Sequence, residues 1–174
     1  RAQGPPDVQA SGIGSLDLGA RWRLYSDARQ IVSFQASGRV PARSHPAFWG
    51  ENRAKTELRM GYGRSGLVFR GRDAFLDAGL VWAKRAELWR DEVRADVTFG
   101  WQQWPGRLVL MQWNYSAWPG APGESRMPRQ LKVEGSTVSS LGDNWSLQLG
   151  SFVSRGGVAT RFERGSVIGL WRKF

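Results

Sequence analysis

The sequence predicts an all-β fold of antiparallel strands, and three observations carry that reading. Apolar residues recur at every second position in one stretch after another, most clearly over 16–25. There Leu16, Leu18, Ala20, Trp22 and Leu24 alternate with Asp17, Gly19, Arg21 and Arg23. A strand puts those two sets on opposite faces, whereas a helix, turning about 100° per residue, would smear both around its surface. All eight prolines fall outside the alternating stretches, as an unbroken ladder of backbone hydrogen bonds requires. No stretch carries an apolar stripe of helical period over a helical length.

Residues 1–14 are rich in Gly, Pro and small polar side chains and read as an irregular lead-in to a single β domain over 15–174. The first strand, 16–25, ends at Ser26-Asp27-Ala28, a short polar turn. Residues 30–40 come next, with Val32, Phe34, Ala36 and Val40 against Ser33, Gln35, Ser37 and Arg39, which completes a hairpin. A polar connection over 41–53 holds the single histidine, His45, and Trp49. Alternation returns with Thr56, Leu58, Met60 and Tyr62 against Lys55, Glu57, Arg59 and Gly61. The Gly- and Arg-rich stretch 63–72 is expected to bend around Leu67–Phe69. Beyond it Ala74, Leu76, Ala78, Leu80 and Trp82 oppose Asp77, Gly79, Val81 and Ala83.

A charged connection, 84–92, includes Trp89 and leads to Val93, Ala95, Val97, Phe99 and Trp101, set against Arg94, Asp96, Thr98, Gly100 and Gln102. Trp104-Pro105-Gly106-Arg107 is a tight turn by its Pro-Gly pair. Val109, Met111, Trp113 and Tyr115 then oppose Gln112, Asn114 and Ser116, and the Pro-rich stretch 118–129 is a long loop. Weaker alternation over 130–140 sets Leu131 and Val133 against Lys132 and Glu134. Leu141-Gly142-Asp143 turns into Trp145, Leu147 and Leu149. The last segment places Ile168, Leu170 and Phe174 on one parity. The count is about nine or ten strands.

With 174 residues and no cysteine, the chain reads as one domain, or a large part of one, without disulfides or thiolate chemistry. It has no apolar run long enough for a membrane helix. Its mean hydropathy of −0.44 does not argue against a membrane barrel, since alternation averages out. A soluble β-sandwich would also alternate, and three features favour the barrel. Asp17, Arg21, Arg23, Arg39, Lys55, Glu57, Arg59, Asp77, Arg94, Asp96, Lys132 and Glu134 sit in mid-strand on the polar parity, where they would line a wet lumen. Of ten tryptophans, Trp49, Trp82, Trp89, Trp101, Trp104, Trp118 and Trp145 lie near segment ends, as two interfacial aromatic girdles would place them. Connections alternate short (26–28, 104–107, 141–143) and long (41–53, 84–92, 118–129), the habit of outer-membrane barrels. The stretch 63–72 is the exception, being longer than its turn should be.

The C-terminal residues 165–174, Gly-Ser-Val-Ile-Gly-Leu-Trp-Arg-Lys-Phe, resemble the closing strand of Gram-negative outer-membrane proteins. That resemblance implies an outer-membrane location and recognition of Ile168, Leu170 and Phe174 by the barrel-assembly machinery. Arg172 departs from the pattern, where an aromatic or aliphatic residue is usual. More diffusely, 12–25, 33–36 and 145–150 are similar to outer-membrane barrels assigned to transport in phenol degradation.

No catalytic pattern accompanies this. His45 lies in a Pro-flanked loop without a Ser–Asp or Asp–Asp arrangement beside it, and no metal-ligand cluster, calcium loop or phosphate loop is present. The chain is expected to have no enzymatic activity, cofactor or metal. The net charge of +10 raises nucleic-acid binding. The basic residues are dispersed rather than striped, so no nucleic-acid partner is expected. Those expected in loops (Arg43, Arg53, Lys84, Arg85, Arg90, Arg126, Arg129, Arg155, Arg161 and Arg164) suit an anionic lipopolysaccharide leaflet.

The expected function is a passive outer-membrane channel or transporter for small polar, anionic or aromatic solutes. Its alternatives are a non-conducting barrel that anchors an envelope complex and a soluble basic sandwich that binds polyanions. If Phe174 ends in the periplasm, residues 16–25 descend from the outer surface. That expectation needs either an ascending strand within 1–14, giving ten, or earlier strands of a larger barrel of about twelve, and Gly4, Pro5 and Pro6 favour the second.

Overall fold

Alternating side chains fit a pleated ribbon, and each strand here pairs with its successor. The computed structural model describes residues 16–40, 54–85, 91–118, 129–156 and 162–173. The strands are β1 (Leu16–Ser26), β2 (Gln30–Val40), β3 (Lys55–Phe69), β4 (Arg72–Arg85), β5 (Glu92–Trp104), β6 (Arg107–Ala117), β7 (Arg129–Ser140), β8 (Trp145–Gly156) and β9 (Glu163–Arg172). They form one antiparallel sheet in the order β1 to β9, a pure meander. Residues 1–14, His45, Trp49, Trp89 and Phe174 lie outside the described residues, as do Arg43, Arg53, Arg90, Arg126 and Arg161.

The count among the described residues is nine strands, within the nine or ten expected, and two expectations are corrected. Among the described residues the sheet is open rather than closed on itself, because there β1 pairs only with β2 and β9 only with β8. The stretch 63–72 is not a connection. β3 runs through it to Phe69, with a register shift between Arg64 and Leu67, and a two-residue turn at Arg70–Gly71 closes the hairpin. Both turn residues have positive φ, 51° and 71°, the geometry whose twist suits a tight hairpin. An extra residue at a bulge shifts the parity of the strand beyond it, which disguised this strand end as a bend. The Ser65 amide, displaced by the bulge, donates to the Arg29 carbonyl at 2.8 Å. Lys84, Arg85, Glu92, Arg129, Arg155 and Arg164, expected in connections, are also strand residues.

With that correction, all four short turns (27–29, 70–71, 105–106 and 141–144) fall at one end of the sheet. The longer connections fall at the other. The turn after β1 is held by Asp27, whose Oδ1 accepts from the amides of Arg29 and Gln30, each at 2.7 Å. Tyr25 donates its hydroxyl to Oδ2 at 2.8 Å. The Arg29 amide, then Tyr25 and the Gln30 amide, hold this exposed carboxyl below its ordinary 3.8. A depressed folded-state value stabilises the turn above the unfolded value and ceases to do so as pH falls through the folded one. Acidification below 3.8 is therefore expected to loosen this turn first. The amide exchange of Arg29 and Gln30 should rise there, and in Asp27→Asn the acid dependence should be lost.

Exposure is distributed in an unusual way. The apolar face looks outward, with Leu18 61 %, Leu170 62 % and Ile168 78 % exposed. Leu80, Met111, Leu131 and Leu149, from interior strands, share that face and are exposed too. Buried polar side chains (Ser33, Glu92, Glu134, Ser136, Gln148 and Ser154) all lie on the opposite face. No second layer covers the apolar face among the described residues, since these strands form a single sheet.

Candidate functional site: the polar face

Register decides which side chains meet, because residues directly opposite each other in adjacent strands point the same way. One row runs Arg21, Gln35, Arg59, Val81, Arg94, Ser116 and Gln130 across β1 to β7. The next runs Arg23, Ser33, Gly61, Gly79, Asp96, Asn114, Lys132 and Ser154. Asp17, Arg39 and Lys55 start another row, Glu57 lies opposite Ser37, and Asp77 and Glu134 share a further one. All twelve charged residues singled out in the sequence thus lie on one face.

The β1–β5 half of this face is ionic. Arg59 on β3 reaches over β4 to Asp96 on β5 in a two-pronged bond, Nη1 to Oδ1 at 2.9 Å and Nη2 to Oδ2 at 2.8 Å. Neighbouring strands are about 4.8 Å apart, so such a pair lies over β4 and needs room there. Gly79 supplies it: a Cβ there would stand 2.4 Å from Arg59 Nη2 and 2.7 Å from Asp96 Oδ2. The same crossing recurs beside it, where Arg94 on β5 donates to Glu57 on β3. Glu57 also pairs with Lys55 at 2.7 Å, and Arg94 Nε lies 3.7 Å from Glu92 Oε1. Beneath these pairs Val81 is 2 % and Ala83 0 % exposed. Arg39 clasps Asp17 through Nε at 2.7 Å and Nη2 at 2.8 Å. Arg23 and Asp77 make no ion pair among the described residues and stand apart from this group.

The β6–β9 half is mostly neutral. Gln112 donates to Thr98 at 3.3 Å, Gln130 to Ser154 at 2.9 Å and Gln148 to Ser136 at 2.9 Å. Trp171 Nε1 donates to Gln148 Oε1 at 2.9 Å. Lys132 pairs with Glu134 at 3.1 Å and lies 4.3 Å from the centre of the Phe152 ring. Toward the short turns the face becomes apolar: Phe75 lies across Gly100 toward Leu110, with Val138 buried nearby on the same face.

Sequence reading found the charges but missed their neighbours. Glu92, Gln130, Gln148, Ser136 and Ser154 share the parity of the charged set, and that parity was the signal. Gly79 gave none, because a bare position acquires meaning only once the strands on both sides are aligned.

The aromatic residues sort by height. Trp101, Trp104 and Trp145 lie near the short turns, and Trp82 and Trp118 lie near the long connections. Trp101 packs with Phe69 and Phe99 at centroid distances of 5.4 Å and 5.7 Å. Trp22 stacks on Phe34 at 5.8 Å. Ile168 and Leu170 lie on the apolar face of β9. The described residues contain no cluster of metal-binding side chains and no helix long and apolar enough to cross a membrane.

The Arg59–Asp96 pair is about one-third exposed on each side, so solvent weakens it. A double-mutant cycle of Arg59→Ala with Asp96→Ala is expected to return a coupling of about 1 kcal/mol in equilibrium unfolding. A coupling of zero would mean that the two side chains do not hold each other.

No protein-family model, curated protein or solved structure matches the chain.

Proposed function

We propose that this chain forms the wall of a Gram-negative outer-membrane β-barrel, a passive path for small polar or anionic solutes without covalent catalysis. The observation that carries this reading is the inverted burial: apolar side chains exposed on one face, paired charges and amides sheltered on the other. In water, an exposed apolar surface of this extent is unfavourable. In lipid it is the required outer surface, and the alternating polar residues become the lumen. Strands of 10 to 15 residues suffice to cross the apolar core of a bilayer at a tilt. Tryptophan at two heights suits two headgroup layers, and short turns at one end with longer connections at the other suit periplasm and exterior. The lipid bilayer, lipopolysaccharide and the barrel-assembly machinery are the partners this implies.

Closure obeys a parity rule. In a nine-strand meander β1 and β9 run in the same direction, so an all-antiparallel barrel needs an odd number of further strands between them. One such strand makes a barrel of ten and three make twelve.

A non-conducting barrel is the second reading, favoured by the mutual neutralisation of Arg59 with Asp96 and of Arg94 with Glu57. Two measurements separate the possibilities. A folded barrel migrates faster on a detergent gel when unheated than when boiled, and purified protein in a planar bilayer gives discrete conductance steps. A chain that remains soluble and monomeric without detergent contradicts the membrane reading. A heat-modifiable chain without conductance selects the non-conducting barrel.

A further inference from the structure

We infer that the polar groove along β1–β3 is a binding site for small soluble oxyanions, carboxylates or phosphates, with Arg21 as its principal donor. This deepens the solute-path reading and rests on the polar face being wetted.

The groove encloses about 550 Å³, ample for a small organic anion. Arg21, Arg39, Lys55 and Arg94 face it against only two carboxylates, Asp17 and Glu57. Both carboxylates are already engaged. Asp17 is clasped by Arg39, and Glu57 takes Lys55 and Arg94 together. Neither acid is left over for Arg21, which donates from Nη2 to the neutral Ser33 Oγ at 3.0 Å. A guanidinium has five N–H donors in a rigid fork and stays protonated, so most of that fork remains for a planar oxyanion. Gln35, directly opposite Arg21, and Ser37 beside it add neutral donors. A neutral solute would gain little from the positive surplus, whereas an oxyanion gains charge-assisted bonds.

Arg21 owes its position to two features. Ser33 is a small residue on β2, and beyond it Gly61 on β3 is bare, with its would-be Cβ 2.9 Å from Ser33 Oγ and 4.0 Å from Arg21 Nη2. The arginine thus lies flat across β2 instead of being pushed off the sheet.

The test titrates inorganic phosphate with the protein folded in a neutral detergent, monitoring phosphorus NMR line width, and confirms folding by heat-modifiable migration. Wild-type protein should bind, Arg21→Ala should bind about tenfold more weakly, and Arg21→Lys should fall between them. Arg107→Ala, a change at a distant turn, should match wild type. Absence of phosphate binding, or equal binding by Arg21→Ala, overturns the site. Conductance of the same samples reports separately on the path. Phosphate binding through Arg21 without a pore keeps the site and removes the path, whereas a pore with unchanged phosphate affinity in Arg21→Ala does the reverse.

Discussion

Leu80→Arg is expected to destabilise the protein by about 2–4 kcal/mol when it is folded into a lipid bilayer. Leu80 lies in the middle of β4, an interior strand, on the apolar face, and is 56 % exposed. In water, replacing a half-exposed leucine away from any cap or core changes stability by no more than about 0.5 kcal/mol. In hydrocarbon the guanidinium must either shed its hydration or drag water inward, and the cost falls off toward the interfaces. Denaturant unfolding from liposomes gives the number directly. Repeating the substitution at Leu16, at the end of β1, should cost clearly less, since the penalty depends on depth.

Gly150→Val is the second large effect, expected to destabilise by about 1–3 kcal/mol through overpacking. Gly150 on β8 lies directly opposite Ser136 on β7, on the polar face. A Cβ there would stand 2.4 Å from Ser136 Cβ, 2.6 Å from the Gly135 carbonyl oxygen and 2.9 Å from Ser136 Cα. These are backbone and near-backbone atoms, so no rotamer change relieves the clash and the strands themselves must separate. Separation would also disturb the Gln148–Ser136 bond next to it. Gly135→Ala, on the apolar face of the neighbouring strand, is the control. Its added carbon meets nothing within 4 Å, and equilibrium unfolding should hardly change. Equal losses at both positions would mean that close approach to β7 does not set the effect.

These two predictions rest on different levels of legibility. That Leu80 and Asp96 lie on opposite faces was readable from period two alone, because the pleat fixes it locally. That Asp96 is held by Arg59 was not readable, because the pair joins strands two apart. It depends on register, on sheet curvature and on the bare Gly79 between them. The stretch 63–72 shows a different failure: one bulge between Arg64 and Leu67 reversed the parity, so a strand end read as a bend. Gln148 and Ser136 were visible as polar-parity residues, yet charge drew attention away from the neutral half of the face. Closure was beyond local reasoning altogether, since alternation fixes what a strand faces and says nothing about how many strands complete a circuit.

Whether one face of β1 lies in lipid and the other in water can be read from oxygen and nickel-complex accessibility along the strand. The chain has no native cysteine, so each single-cysteine variant carries one spin label. Labels at 16, 18, 20 and 22 in bilayer-folded protein should favour oxygen, which partitions into lipid. Labels at 17, 21 and 23 should favour the water-soluble nickel complex. A period-two oscillation of the two accessibilities, opposite in phase, is the expected result. High nickel accessibility at every position would put both faces of β1 in water and contradict the membrane wall.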